Sequence, residues 1–285
     1  MRAVTQNSNH LYGADMENMF KEPAPGSNQA DGKLLSELVS EDQKHFINSL
    51  SSVSAIPKGR IFLFSGASAV GKTAALRFLL PLLKAGGASP CVCKIDCLQT
   101  SDDTLYREIG IRCAVGLSGD LCPDHYLVSN LSELWDWMLR EGCDTLLIET
   151  AGLCHRCSPA TDRMTAGCVF DCTASCRAPA QMGPMLTKAD FAVLTKIDMI
   201  SQAELEIVSE GIRACNPNIE LFPFDGLCGY GADLLAEWLL SRPFCCGIEN
   251  DVLRHTMPGG VCSYCVGETR VGSAFQQGIV GKIAL

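Results

Sequence analysis

Residues 66–73 read Gly-Ala-Ser-Ala-Val-Gly-Lys-Thr and fit the pattern G-x-x-x-x-G-K-[ST]. In such a loop the backbone N–H groups of Ala67, Ser68, Ala69, Val70, Gly71, Lys72 and Thr73, with Gly66 opening the turn, would wrap a β-phosphate. The following helix would add the partial positive charge of its N-terminus. Lys72 would reach the β- and γ-phosphates, and the Thr73 hydroxyl would bind Mg2+. This chemistry needs an acidic group near the metal. Glu149 follows the apolar run Thr145-Leu-Leu-Ile148, and Asp96 ends the run Cys91-Val-Cys-Lys-Ile95. Gly152, three residues past Glu149, is spaced so that its N–H could meet a γ-phosphate while Glu149 contacts a metal-bound water. Asp96 could bind Mg2+ or orient the attacking water.

Thr195-Lys196-Ile197-Asp198 fits a [N/T]-K-x-D guanine signature. Asp198 would accept hydrogen bonds from guanine N1 and N2, which adenine does not offer. Lys196 would lie along the base, and Thr195 takes the place of the commoner Asn. The expected substrate is therefore GTP, with ATP as the alternative.

The chain holds 17 cysteines. Free Cys often packs as a small hydrophobe, so about half need no chemistry. The clustered ones are different. Cys154-His155-Arg156-Cys157 follows Gly152 directly. Two thiolates two residues apart converge in a turn and can clasp one metal ion, and His155 offers an imidazole. Cys122-Pro123-Asp124-His125 supplies Cys122 and His125 in a second loop. Cys262 and Cys265 form another C-x-x-C behind paired glycines, so a four-thiolate site for Zn2+ or an iron–sulfur cluster is open, as are separate sites. Cys168, Cys172 and Cys176 share a face if helical, but the segment also reads as a strand and loop. His10, His45 and His255 stand alone and read as surface or capping residues.

These groups need elements to hold them. Apolar runs at 60–66, 90–97, 144–150, 191–198 and 219–226 read as buried strands. Helical periodicity appears at 33–50, from Gly71 to the paired glycines Gly86 and Gly87, at 132–143 and at 231–241. Strands separated by helices give an α/β fold: a three-layer P-loop NTPase with a mostly parallel central sheet. Residues 1–32 read as a flexible lead-in, 33–241 as the P-loop domain and 242–285 as a small Cys-rich C-terminal extension.

The chain has 285 residues and a formal net charge of −9. That charge argues against a general nucleic-acid or anionic-membrane binder. No apolar run reaches the ~20 residues of a bilayer span, and no secretory leader is visible, so a cytoplasmic location is expected.

In order, the P-loop, the Asp96 strand, "CPDH" (122–125), "ETAG" (149–152), "MLTKADFAVLTKIDMI" (185–200) and "GYGADLLAEWL" (229–239) resemble the HypB/UreG-type GTPases of the SIMIBI class. The resemblance runs from about Ile61 to Leu240. It implies a GTP-hydrolysing metallochaperone that couples nucleotide state to insertion of nickel or another metal into a client enzyme. It also implies a nucleotide- or metal-dependent homodimer and partners among client metalloenzymes or their assembly proteins. Cys122-Pro123 with His125 resembles the family's metal motif, which is Cys-Pro-His in one branch and Cys-His in the other; here Asp124 intervenes. Cys157-Ser158-Pro159 resembles the Cys-Pro after the switch glycine. The rivals are an ATPase that inserts or reductively activates a metal centre, and a metal-storage or sensor protein with a non-catalytic P-loop.

Overall fold

A computed structural model describes residues 57–152, 156–257, 267–275 and 281–285. The expected helix at 33–50 lies outside them, as do His10, His45, Cys154, His155, Cys262 and Cys265.

Seven strands form one sheet: β1 (Arg60–Ser65), β2 (Pro90–Asp96), β3 (Arg112–Leu117), β4 (Thr145–Glu149), β5 (Thr165–Asp171), β6 (Phe191–Thr195) and β7 (Glu220–Pro223). Their order is β3-β2-β4-β1-β5-β6-β7. Every pairing is parallel. Five of these strands match the expected apolar runs; β3 and β5 are additional.

The helices are α1 (Lys72–Ala85), α2 (Asp102–Glu108), α3 (Pro123–Val128), α4 (Leu131–Arg140), two single turns α5 (Ala178–Gln181) and α6 (Pro184–Thr187), α7 (Gln202–Cys215) and α8 (Ala232–Leu240). Parallel strands need crossovers, and the helices cover both faces of the sheet. The alternation along β1 divides the core. Phe62 and Phe64 face a cluster with Leu76, Leu79, Leu80 and Leu83 of α1 and Leu235 and Leu239 of α8. Ile61 and Leu63 face Leu134, Trp135 and Met138 of α4. The α1 leucines sit at i, i+3, i+4 and i+7, one stripe of a helix. Each fully buried leucine stabilises by roughly 1.5–3 kcal/mol over an exposed one. That offsets Pro81 inside the helix, which costs ~3 kcal/mol. A third cluster packs Cys168 and Phe170 of β5 against Val208 and Ile212 of α7.

The C-terminal residues join this core. Ile248, Leu253, Met257, Val271 and Ile283 lie in the α4-side cluster. Arg254 ties the segment down, donating to the carbonyls of Thr161, Lys188 and Met164 and to the Asp190 carboxylate. No helix among the described residues is long and apolar enough to cross a membrane.

Because the strands are parallel, their C-terminal ends share one edge of the sheet. Ser65, Asp96, Glu149, Asp171 and Thr195 all end strands there. In open α/β sheets that edge is where ligands bind.

Candidate functional site

The loop between β1 and α1 carries the backbone that phosphate wrapping requires. Gly71 lies in the left-handed region at φ 97°, and Ala69 is a non-glycine residue at φ 60°. A non-glycine held there costs of order 1–3 kcal/mol and persists only where surrounding structure enforces it. The Lys72 ammonium folds back over the loop, 2.9 Å from the Gly66 carbonyl and 2.7 Å from that of Ala67. Burial lowers its pKa to about 8, against the pull of Glu149.

Gly152 is seated on this loop. A Cβ there would stand 2.0 Å from the Gly66 carbonyl oxygen and 2.9 Å from Lys72 Nζ. The Ser68 hydroxyl reaches across to the Ala151 carbonyl at 3.4 Å. The turn after β4 and the phosphate loop are therefore in direct contact.

Glu149 is 1% exposed and fully engaged. Its Oε1 accepts from the Thr73 hydroxyl at 2.7 Å and from Lys94 at 2.6 Å, and its Oε2 accepts from the Tyr106 hydroxyl. Parallel register explains Lys94, which pairs with Glu149 across β2 and β4. Asp102, at the start of α2, stands 3.3 Å from the Thr73 hydroxyl. Asp96 instead accepts from the Cys97 amide and caps the turn leaving β2. Lys94, Asp102 and Tyr106 carry no motif of their own. Only the pairing of β2 with β4 and the placement of α2 bring them to Glu149 and Thr73.

The Thr195-Lys196-Ile197-Asp198 segment lies beside the loop. The Thr195 hydroxyl is 2.6 Å from the Val70 carbonyl and 3.0 Å from that of Phe170. Lys196, at φ 57°, pairs with Asp171 at 2.5 Å. Burial works against ionisation of Asp171, but hydrogen bonds from Lys196 and Thr173 prevail and hold its carboxyl below the usual range. Lys196 and Asp198 line a cavity of about 330 Å3 with Gly71, Ala74, Phe224 and Leu227. It is mostly apolar, with an exposed carboxylate at its rim, as a planar base needs.

A second set of donors forms where the connection after β4 meets the start of α3. The Sγ of Cys122, a carboxylate oxygen of Asp124 and the Sγ of Cys157 lie within 4.8 Å of one another. The Cys157 thiol is 3.3 Å from Asp124 Oδ2. Contact with Cys157 lowers the Cys122 thiol to about 6, against burial. Burial, then the neighbouring Cys122, raises Asp124 to about 7. The third donor here is Asp124, where spacing pointed to His125. His125 is buried outside this three-donor group, and burial lowers its pKa. Pro123 begins α3, so Cys122 is its N-cap and Asp124 falls in its first turn; the proline is the signal that marks this placement in the sequence.

The remaining cysteines separate by environment. Cys91 and Cys93 are buried in β2, and Cys168 in β5. Cys172 lies just past β5, and Cys176 is exposed in the next turn, so these three share no helical face. His255 Nε2 lies 3.2 Å from the Arg156 carbonyl.

An uncharacterised protein of Methanocaldococcus jannaschii is 43% identical over 79% of this chain and 96% of its own length. A urease accessory protein UreG 2 of Streptomyces griseus is 29% identical over 60% of this chain and 82% of its own. The crystal structure of HypB from Helicobacter pylori in complex with nickel superposes at a TM-score of 0.53 and 18% identity. That match covers 69% of this chain and 90% of that one and shows a shared fold. Residues 60–223, which hold the phosphate loop, the β4 turn and the Thr195–Asp198 segment, match the description "CobW/HypB/UreG, nucleotide-binding domain", and the chain belongs to that family.

Proposed function

We propose that this chain is a GTPase whose nucleotide state governs its hold on a transition-metal ion destined for a client metalloenzyme. One observation carries the reading. Gly152 rests on the phosphate loop, and five residues later Cys157 supplies a donor to the thiol–carboxylate cluster. A shift of Gly152 on γ-phosphate binding or loss passes along a very short tether to that donor set.

In this scheme the Lys72 ammonium leaves the Gly66 and Ala67 carbonyls for phosphate oxygens. Gly152 offers its N–H to the γ-phosphate, and Asp198 selects guanine. Thr73 and Glu149, with Asp102 beside them, form a hard oxygen set of the kind Mg2+ prefers. Bound there, Mg2+ would neutralise charge on the β- and γ-phosphates. Hydrolysis then rests on positioning and charge stabilisation, and Asp96 stands at the same sheet edge to orient the attacking water.

The metal cargo is a substrate held between protein ligands. Two thiolates and a carboxylate suit Zn2+ or Ni2+. Three donors leave a position open for a ligand from a second copy, from the client, or from Cys154 or His155. An incomplete set favours hand-over where a closed four-thiolate site favours retention. The Cys262–Cys265 pair is a further candidate for metal.

The test measures metal affinity by competition with a chromophoric chelator, anaerobically, in the GDP and the nonhydrolysable GTP-analogue states. We expect at least a tenfold difference that Lys72→Ala abolishes. Equal affinity in both states overturns the coupling. Tight ATP and weak GTP binding in a parallel titration overturns the base assignment.

A further inference from the structure

Beside Thr73, two cationic or hydroxyl donors compete for the same two oxygens. The Thr73 hydroxyl is 2.7 Å from Glu149 Oε1 and 3.3 Å from Asp102 Oδ2. The Lys94 ammonium is 2.6 Å from the same Glu149 oxygen and 2.8 Å from the same Asp102 oxygen. Lys94 comes from the interior of a central strand and is 5% exposed, while Glu149 is 1% exposed. A buried carboxylate without a counter-charge is costly, and an ammonium in such a place persists only when paired. Each therefore accounts for the other.

The same oxygens are those the proposed GTPase cycle assigns to the metal. An ammonium and a divalent cation cannot share them, because two cations at hydrogen-bond separation repel strongly in a partly desolvated site.

We infer that Lys94 is a positioning residue: an internal counter-ion held on the two carboxylate oxygens that the proposed cycle assigns to magnesium. It holds Glu149 and Asp102 gathered at Thr73. It also withholds their oxygens from divalent cations until phosphate oxygens supply further ligands. Metal and nucleotide then bind as a unit, with Lys94 moving off the two carboxylates. The inference rests on the GTPase reading for the roles of Thr73 and Glu149, and it adds what holds their place beforehand. A purely structural ion pair would explain the contacts but would keep Lys94 on the two carboxylates when metal and triphosphate are added.

The experiment therefore uses Mn2+ alone, without nucleotide, added to the full chain, with free Mn2+ read by electron paramagnetic resonance. Lys94→Met should bind Mn2+ at least tenfold more tightly than wild type, and adding Glu149→Gln should remove the gain. Equal Mn2+ affinity in wild type and a folded Lys94→Met overturns the inference. A second measurement uses only the wild-type chain and so does not depend on the variant folding. Acetylation of Lys94, read by peptide mass spectrometry, should rise several-fold when Mn2+ is added to protein holding inorganic triphosphate; unchanged labelling overturns the inference equally. Neither readout depends on GTP preference or on the thiol cluster, so failure here is separable from failure of the GTPase reading.

Discussion

Gly152 sits against Gly66 so closely that a single added carbon would fall 2.0 Å from the Gly66 carbonyl oxygen. The contact joins the two loops that a nucleotide would bridge, and it sets what substitution there must do. Gly152 has φ 76°, where an L side chain costs roughly 1–2 kcal/mol before any clash. Gly152→Ala adds a collision with backbone, so the phosphate loop or the β4 turn must move. We expect GTP affinity to fall more than tenfold and metal affinity to stop responding to nucleotide. The melting temperature should drop by about 4–8 °C for a loss near 2 kcal/mol. Calorimetric titration with differential scanning calorimetry checks all three, and wild-type GTP affinity in Gly152→Ala would show that the contact carries nothing.

Lys72 supplies a prediction in protons. Burial lowers its pKa to about 8, from an ordinary 10.5. A folded value below the unfolded one means that the folded state binds fewer protons between those limits. The resulting destabilisation is complete below pH 8 and is relieved as pH rises from 8 toward 10.5. A bound triphosphate restores the charged form, so binding at pH 8 should take up about half a proton. Titration calorimetry in buffers of different ionisation enthalpy reads this directly. Lys72→Ala should bring the uptake close to zero, and no uptake by wild type at pH 8 would contradict the placement of Lys72.

Much of the architecture was readable because its signals are local. The phosphate loop is eight consecutive residues between a strand and a helix, β1, β4 and β6 are built on uninterrupted apolar runs, and β2 is broken only by Lys94. Strand β3 was not readable, since it is an edge strand with exposed ends at Arg112 and Leu117 and only Ala114 and Gly116 fully buried between them. Strand β5 was hidden by cysteines spaced like a helical face; only pairing with β1 and β6 reveals it. The groups around Glu149 come from β2 and α2, and no spacing along the chain announces that Lys94, Asp102 and Tyr106 meet there. Asp124 reads as a spacer until Pro123 is taken as the first residue of a helix, which turns the carboxylate toward Cys157.

That last placement separates two neighbours experimentally. Asp124→Asn removes one of three clustered donors and should cost at least tenfold in Zn2+ or Ni2+ affinity, a loss no smaller than supporting groups around metal sites produce. GTP affinity should be unchanged. His125→Gln should leave metal affinity within about twofold, since His125 lies outside the donor group. The wild-type site should also bind metal more tightly as pH rises. Cys122 titrates near 6 and Asp124 near 7, and both must be deprotonated to serve as ligands, so affinity should climb between pH 6 and 8. Chelator competition on the three proteins gives the ranking. A larger loss in His125→Gln than in Asp124→Asn would return the third ligand to the histidine.

Thr195 tests whether the Thr195–Asp198 segment serves the phosphate loop as well as the proposed base site. Its hydroxyl is 2.6 Å from the Val70 carbonyl, inside the loop, and 3.0 Å from that of Phe170 at the end of β5. Thr195→Val keeps the shape and removes the hydroxyl, so these buried carbonyls lose a partner at a cost of about 1–3 kcal/mol. The loop is then tethered less tightly at Val70, next to Gly71 and Lys72. We expect weaker binding of GTP and inorganic triphosphate alike, in the same proportion. Thr195→Asn should retain both, because a carboxamide carries two N–H donors for the two carbonyls. A Thr195→Val protein that loses GTP but keeps triphosphate would place the hydroxyl at the base instead. Parallel titrations with the two ligands tell these apart without reference to turnover.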